Sequence, residues 1–100
     1  MNDLGKLKRT ILDLHGCDSF HAASIAVHEI FEGKTVWQGV VEIFSLVNHP
    51  KAKDAYAWSY KNDGGEVRHV AVLGVSPINS AYDAVRAYIV SESQKQSKPS

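Results

Sequence analysis

The longest apolar pattern in the chain runs from Thr35 to Val47, T-V-W-Q-G-V-V-E-I-F-S-L-V, and contains no proline. β-Branched and aromatic residues dominate it, which predicts the central strand of a β-sheet. Apolar side chains fall on both faces of this strand, so it needs cover on both sides. The two alternating sets are Val36, Val40, Phe44 and Leu46 on one face, and Trp37, Val41, Ile43 and Val47 on the other.

A β-hairpin is predicted after the central strand, beyond a loop set by Pro50. Residues 55–61, A-Y-A-W-S-Y-K, alternate small and aromatic side chains, and residues 66–75 supply an answering apolar run. The intervening Asn62-Asp63-Gly64-Gly65 is typical of a hairpin turn, because glycine accepts positive φ angles without steric cost.

The segment before the central strand permits more than one interpretation. Residues 4–14 suit either a helix or a short strand, and the residues from His15 to Ser19 predict a turn. Residues 20–31 suit either a helix or a strand that pairs with the central strand through Glu32-Gly33-Lys34. We favour a strand from Ile25 to Phe31, preceded by a one-turn helix, because the β-branched residues cluster in that second half.

A C-terminal helix is predicted to begin after Ser80, with Asp83 completing a shortened capping box. Its apolar stripe consists of Ala81, Val85, Tyr88 and Ile89. We expect this helix to pack on the small side chains of Ala55, Ala57 and Ser59, which permit a close approach. The helix should fray near Ser91, and residues 91–100 read as a disordered polar tail.

Together these elements predict an α+β fold in one domain, over residues 1–90. Its core is an antiparallel three- or four-stranded meander sheet, with the C-terminal helix packed on one face. If residues 20–31 form a helix instead, the order becomes α-β-β-β-α, which is the order of double-stranded RNA-binding domains.

Composition narrows the function classes. The chain has 100 residues and 11 basic against 11 acidic side chains, so its net charge of zero disfavours a strongly basic nucleic-acid binder. The single cysteine, Cys17, cannot form an intramolecular disulfide, and no apolar segment of signal-peptide or membrane-span length is present. We therefore expect a cytoplasmic protein without membrane association.

Four short strings resemble those of short, uncharacterised bacterial proteins. They are T-V-W-Q-G-V-V-E at 35–42, H-P-K-A-K at 49–53, Y-A-W-S at 56–59 and V-A-V-L at 70–73. This resemblance implies a stand-alone bacterial domain and carries no activity. His49-Pro50-Lys51 also resembles the minor-groove loop of double-stranded RNA-binding domains. The segment that begins the last helix lacks their basic cluster, which disfavours duplex RNA as the ligand.

The candidate binding residues are an aromatic row and a set of basic side chains. Tyr56, Trp58 and Tyr60 share one face of their strand and could anchor a protein partner or stack on unpaired bases, or could form part of the core. The basic set of His49, Lys51, Lys53 and Arg68 could meet phosphates, or could be ordinary solvated residues. The two-sided central strand further suggests homodimerisation through the aromatic face.

Support for catalysis or metal binding is weak in this sequence. His15, Cys17, His21 and His28 have metal-ligand chemistry, but their spacing matches no standard zinc motif. We predict no catalytic residue, no metal and no cofactor. The leading hypothesis is a small non-enzymatic binding domain that acts through protein–protein contact or self-association, and the alternative is a nucleic-acid-binding domain.

Overall fold

The computed structural model describes residues 4–61 and 64–96. Its elements in chain order are α1 (Leu4–His15), β1 (Ser19–Phe31), β2 (Lys34–Leu46), β3 (Asp54–Lys61), β4 (Val67–Leu73) and α2 (Ala81–Gln96). The strands form one four-stranded sheet in the order β1-β2-β3-β4, with every neighbouring pair antiparallel. The predicted α+β class and the antiparallel meander are confirmed.

Residues 20–31 are a strand, so the α-β-β-β-α alternative is wrong. β1 begins at Ser19, which leaves no room for the predicted one-turn helix before it. It joins β2 through a two-residue turn in which Glu32 has φ 52° and Gly33 has φ 78°. Positive φ at both central residues matches the right-handed twist of the two strands and holds them in a tight hairpin.

The ambiguous N-terminal segment is the helix α1, which covers one face of the sheet. Leu7 and Ile11 are buried one helical turn apart, and they pack with Phe44 against Ala55 and Ala57 of β3. The two alanines present no bulky side chain, so the helix lies close to the sheet. Gly16 ends the helix with φ 70°, and its N–H donates to the Leu12 carbonyl at 2.9 Å.

The C-terminal helix α2 begins with the predicted cap. The Asp83 N–H donates to Ser80 Oγ at 3.1 Å, and the Asp83 carboxylate accepts from the Asn79 N–H at 3.1 Å. The helix continues to Gln96, past Ser91, where we expected it to fray and a disordered tail to begin. Residues 97–100 of that predicted tail lie outside the described residues.

The two helices lie on opposite faces of the sheet, and the predicted face for α2 was wrong. Ala81, Ala84 and Val85 of α2 pack with Tyr56 and Trp58, on the face with the large side chains. The small-residue face belongs to α1. An aromatic side chain buries more apolar surface than an alanine, so α2 gains more by covering the aromatic face.

β2 and β3 separate after a short stretch of pairing. Only Glu42–Ser45 of β2 pair with β3, at Asp54–Ala57. In contrast, β1 pairs with β2 from Leu46 to Lys34. The hairpin of β1 and β2 therefore continues past the end of its contact with β3. We call this continuation, residues 25–41, the β1–β2 arm. Val27 and Val41 of the arm are buried in the core on the α2 side.

Aromatic rings fill the space between the diverging strands on the α2 side. The Trp58 ring meets Trp37 edge-on at 5.6 Å and Tyr88 at 5.4 Å, and Tyr60 lies 5.9 Å from Tyr88. Edge-to-face packing of this kind stabilises beyond the area that is buried. Gly39 makes the arrangement possible, because a Cβ at that position would lie 3.0 Å from Trp37 Cη2.

We expect Trp58→Ala to lower the free energy of unfolding by about 3–5 kcal/mol, since it removes a buried indole and its aromatic contacts. Val67→Ala is the control, because Val67 lies on the same hairpin and is 50% exposed. Urea denaturation followed by far-ultraviolet circular dichroism measures both variants. Equal losses in the two variants would show that Trp58 is not the centre of the core.

Candidate binding site

The predicted aromatic platform is part of the core. Tyr56 and Trp58 are 6% and 1% exposed beneath α2, and Tyr60 is half-buried against Tyr88. The interpretation of Tyr56 and Trp58 as a stacking or partner-binding surface is therefore wrong, and a homodimer cannot form through a face that α2 already covers. The buried Trp58 Nε1 has no hydrogen-bond partner among the described residues. An unpaired buried N–H group costs about 1–3 kcal/mol of folding free energy, which offsets part of the gain from burying the ring.

His49 organises its own loop. Its Nδ1 accepts hydrogen bonds from the backbone N–H groups of Lys51 at 3.1 Å and Ala52 at 3.0 Å. An acceptor nitrogen carries no proton, so His49 is neutral in this arrangement, with its proton on Nε2. The half-buried ring therefore stabilises the connection between β2 and β3 and adds no positive charge to it.

The basic residues do not form one patch. Lys51 and Lys53 are exposed in the loop before Asp54, where β3 begins. Arg68 pairs with Tyr60 near the far end of β3 and lies 3.5 Å from Glu66. Tyr60 lies six positions beyond Asp54 on the same extended strand, a distance of roughly 20 Å. The structure thus separates the charges that a shared phosphate-binding surface would need.

The histidine and cysteine candidates are also dispersed. His15 Nε2 lies 3.1 Å from the Ala71 carbonyl oxygen, and His28 Nε2 lies 2.6 Å from Thr35 Oγ1. Cys17 packs beside the α1 cluster, and His21 contacts Glu42. Among residues 4–61 and 64–96, no three His, Cys, Asp or Glu side chains are grouped so as to hold a metal ion.

A cleft that the sequence pattern does not predict lies at the point where β2 and β3 diverge. It has a volume of about 470 Å³ and opens on the α1 side of the sheet. Its lining residues are Leu4 and Leu7 of α1, Ser24 of β1, Val40 and Glu42 of β2, and Trp58 and Ser59 of β3. Continued pairing would place Val40 opposite Ser59, so the cleft occupies the position of the missing cross-strand contacts.

A polar cluster forms one wall of this cleft. Glu42 Oε1 accepts hydrogen bonds from His21 Nε2 at 2.8 Å and from Ser24 Oγ. His21 and Ser24 are three positions apart and would face opposite sides of a regular strand. The register shift between His21 and Ala23 turns both side chains toward Glu42. The one sequence clue was Glu42 itself, a charged residue in an otherwise apolar inner strand.

The cluster does not have the geometry of a catalytic triad. In a triad, the carboxylate and the hydroxyl contact different nitrogens of the imidazole ring. Here Glu42 Oε1 and Ser24 Oγ lie 2.8 and 3.3 Å from the same atom, His21 Nε2. The imidazole cannot take the serine proton at the nitrogen that already donates to Glu42. The arrangement instead fixes the position of a carboxylate.

The β1–β2 arm is a second candidate surface. Apolar side chains on it remain exposed, and β1 is the outermost strand of the sheet along all of its length. The exposed apolar residues of the arm are Ile25, Ile30, Phe31, Val36 and Val40. The arm is held to the domain by Val27 and by Arg86 of α2, whose Nε donates to Glu29 Oε1 at 2.7 Å.

Comparison with protein-family models, with curated proteins and with solved structures finds no match for this chain. Within the part of the chain that the structure describes, neither helix has the length and apolar character needed to cross a membrane.

Burial raises the pKa of the Tyr56 phenol, and the negative charges of Asp54 and Asp83 raise it further. The folded chain thus holds this proton more tightly than the unfolded chain, in which the pKa is near 10. The resulting stability is fully present below the unfolded pKa and is lost as the pH rises through the folded pKa.

We therefore expect the free energy of unfolding to fall above about pH 10, and to fall less steeply in Tyr56→Phe, which has no phenolic proton to lose. Urea denaturation at a series of alkaline pH values measures the slope. Tyr82→Phe is the matched control, because Tyr82 lies 38% exposed on α2. The same slope in wild type and Tyr56→Phe would contradict the assignment of this effect to Tyr56.

Proposed function

We propose that this domain is a non-enzymatic binding module that self-associates through the β1–β2 arm. The observation that carries the proposal is the exposure of the arm: Ile30 and Phe31 are 57% and 65% exposed at the end of the sheet's outermost strand. Neighbouring apolar side chains on an unpaired edge are typical of surfaces that bind another polypeptide.

The outer edge of β1 supports this proposal because it lacks three of the usual protections against pairing. Edge strands commonly avoid association through lysine, proline, a short length or β-bulges, and of these β1 has only register shifts, between His21 and Ala23 and between Glu29 and Ile30. β1 extends over 13 residues, S-F-H-A-A-S-I-A-V-H-E-I-F, and contains neither lysine nor proline. Its one acidic side chain, Glu29, is engaged by Arg86 of the same chain. A second copy would offer the same edge, which is how a two-fold symmetric interface forms.

Two further points support the class of function and the location that we propose. The polar cluster of the cleft places Ser24 and Glu42 on one nitrogen of His21, which supports a function without nucleophilic catalysis. The single cysteine, Cys17, is half-buried beside α1. A chain with one thiol and no disulfide supports a reducing, cytoplasmic setting.

Self-association is tested by sedimentation velocity at protein concentrations from about 1 to about 100 µM. We expect a dimer to accumulate across this range, and we expect Ile30→Lys/Phe31→Lys to weaken it at least about tenfold by placing two desolvated charges in the contact. Leu12→Lys/Leu14→Lys is the matched control, because these side chains are exposed on α1 and lie outside the arm. It should associate like the wild type.

A monomer at every concentration would overturn the proposal. So would equal weakening in the arm variant and the α1 variant, since that result would indicate general hydrophobic attraction instead of a defined interface. Circular dichroism of both variants should retain the wild-type spectrum, because all four substituted side chains are exposed.

A further inference from the structure

We infer that the cleft between β2 and β3 binds a small ligand that carries a protonated amine on an apolar body. Val40 belongs to both the cleft and the arm, but the inference does not depend on the self-association proposed for the arm. The inference rests on the shape of the cleft, on the charge of its lining and on the orientation of one carboxylate.

The shape of the cleft fits a small molecule. Its volume of about 470 Å³ lies within the usual range of ligand sites, and it is bounded by the first turns of α1 on one side and by the diverging strands on the other. Leu4, Leu7 and Val40 contribute apolar surface, and polar groups contribute about as much. The lining thus offers an apolar contact to the body of a ligand beside polar contacts for its charged group.

The charge of the lining selects a cation. Among the described residues that line the cleft, Glu42 is the only charged side chain, and none is basic. Its side chain is 20% exposed, so water screens the carboxylate less than it would on an open surface. An anion would be repelled by this charge and would find no basic side chain among the described lining residues, whereas an ammonium group would form a charge-assisted hydrogen bond with Glu42.

The carboxylate is already oriented toward such a ligand. His21 Nε2 and Ser24 Oγ both donate to Oε1 of Glu42, which leaves Oε2 without a described donor. Two donors on one oxygen restrict the rotation of the side chain, so a ligand that binds at the other oxygen does not have to order it. The Ser24 hydroxyl donates its proton to Glu42 and keeps oxygen lone pairs that can accept a further ammonium proton, whereas Ser59 Oγ lies 2.7 Å from His69 Nδ1.

The test uses phenethylamine, which is protonated at neutral pH, with phenethyl alcohol and hydrocinnamate as neutral and anionic probes of similar size. Amide chemical shifts of the full chain are followed during titration with each probe. We expect saturable shifts at Ser24, Val40, Glu42 and Ser59 with the amine, and at least about tenfold weaker binding of the alcohol and the acid.

Glu42→Gln should weaken amine binding at least about tenfold, because it removes the charge and keeps the shape of the side chain. Glu66→Gln is the matched control, since it neutralises an exposed glutamate directly before β4 that does not line the cleft. Val40→Lys is a second variant at a half-exposed position, and it should abolish binding by placing its own ammonium beside Glu42.

Three results would overturn the inference. They are an absence of saturable shifts with the amine, equal binding of the three probes, and unchanged amine binding in the cleft variants. If Glu42→Gln loses its native spectrum, Val40→Lys decides the question alone, because Val40 is not part of the core.

Discussion

The alternation of small and large side chains along β3 is the constraint on which the rest of this structure depends. Ala55 and Ala57 give one face of the sheet only short side chains, so the buried leucine and isoleucine of α1 pack directly against the sheet. Tyr56 and Trp58 give the other face large side chains, and the buried residues that α2 places against them are the small Ala81, Ala84 and Val85. Tyr88 of α2 is the large exception, and it meets the Trp58 ring edge-on at 5.4 Å. Matching large side chains with small ones in this way is how interdigitated cores reach high packing density.

The aromatic side of this alternation packs where β2 and β3 diverge. The rings of Trp37, Trp58 and Tyr88 meet edge-to-face between the two strands, at the level where regular pairing stops. On the α2 side these ring contacts take the place of backbone pairing between the two strands, and the opposite side is open as the cleft beside Glu42.

Much of the fold could be predicted from the sequence, because its determinants are local. The hairpin of β3 and β4, the cap at Ser80 and the inner position of β2 follow from alternation, turn chemistry and hydrophobicity. The need of β2 for cover on both faces was also evident. The element that provides this cover was not evident, because the sequence of α1 suits a strand as well as a helix. A second chain was therefore inferred to cover the face that α1 covers.

The functional residues were harder to predict, because they depend on contacts between distant segments. A row of aromatic residues looks the same in sequence whether it is exposed or buried, and here the position of α2 decides the matter. The basic residues are placed by the length of β3, which carries Arg68 away from Lys51 and Lys53. The polar cluster depends on a bulge in β1, and alternation gives no sign of a bulge.

The arm and the cleft share a strand, and this sharing connects the two proposed sites physically. Val40 is exposed on the arm and lines the cleft, two positions from Glu42 on the same face of β2. If a second copy contacts the arm near Val40, it changes the solvent exposure of the cleft and hence the screening of the Glu42 carboxylate. By linkage, the factor by which dimerisation changes amine affinity then equals, for each binding site, the factor by which the amine changes dimerisation. The divergence of β2 from β3 leaves both surfaces open, and the two proposals together predict that their binding equilibria are coupled through Val40.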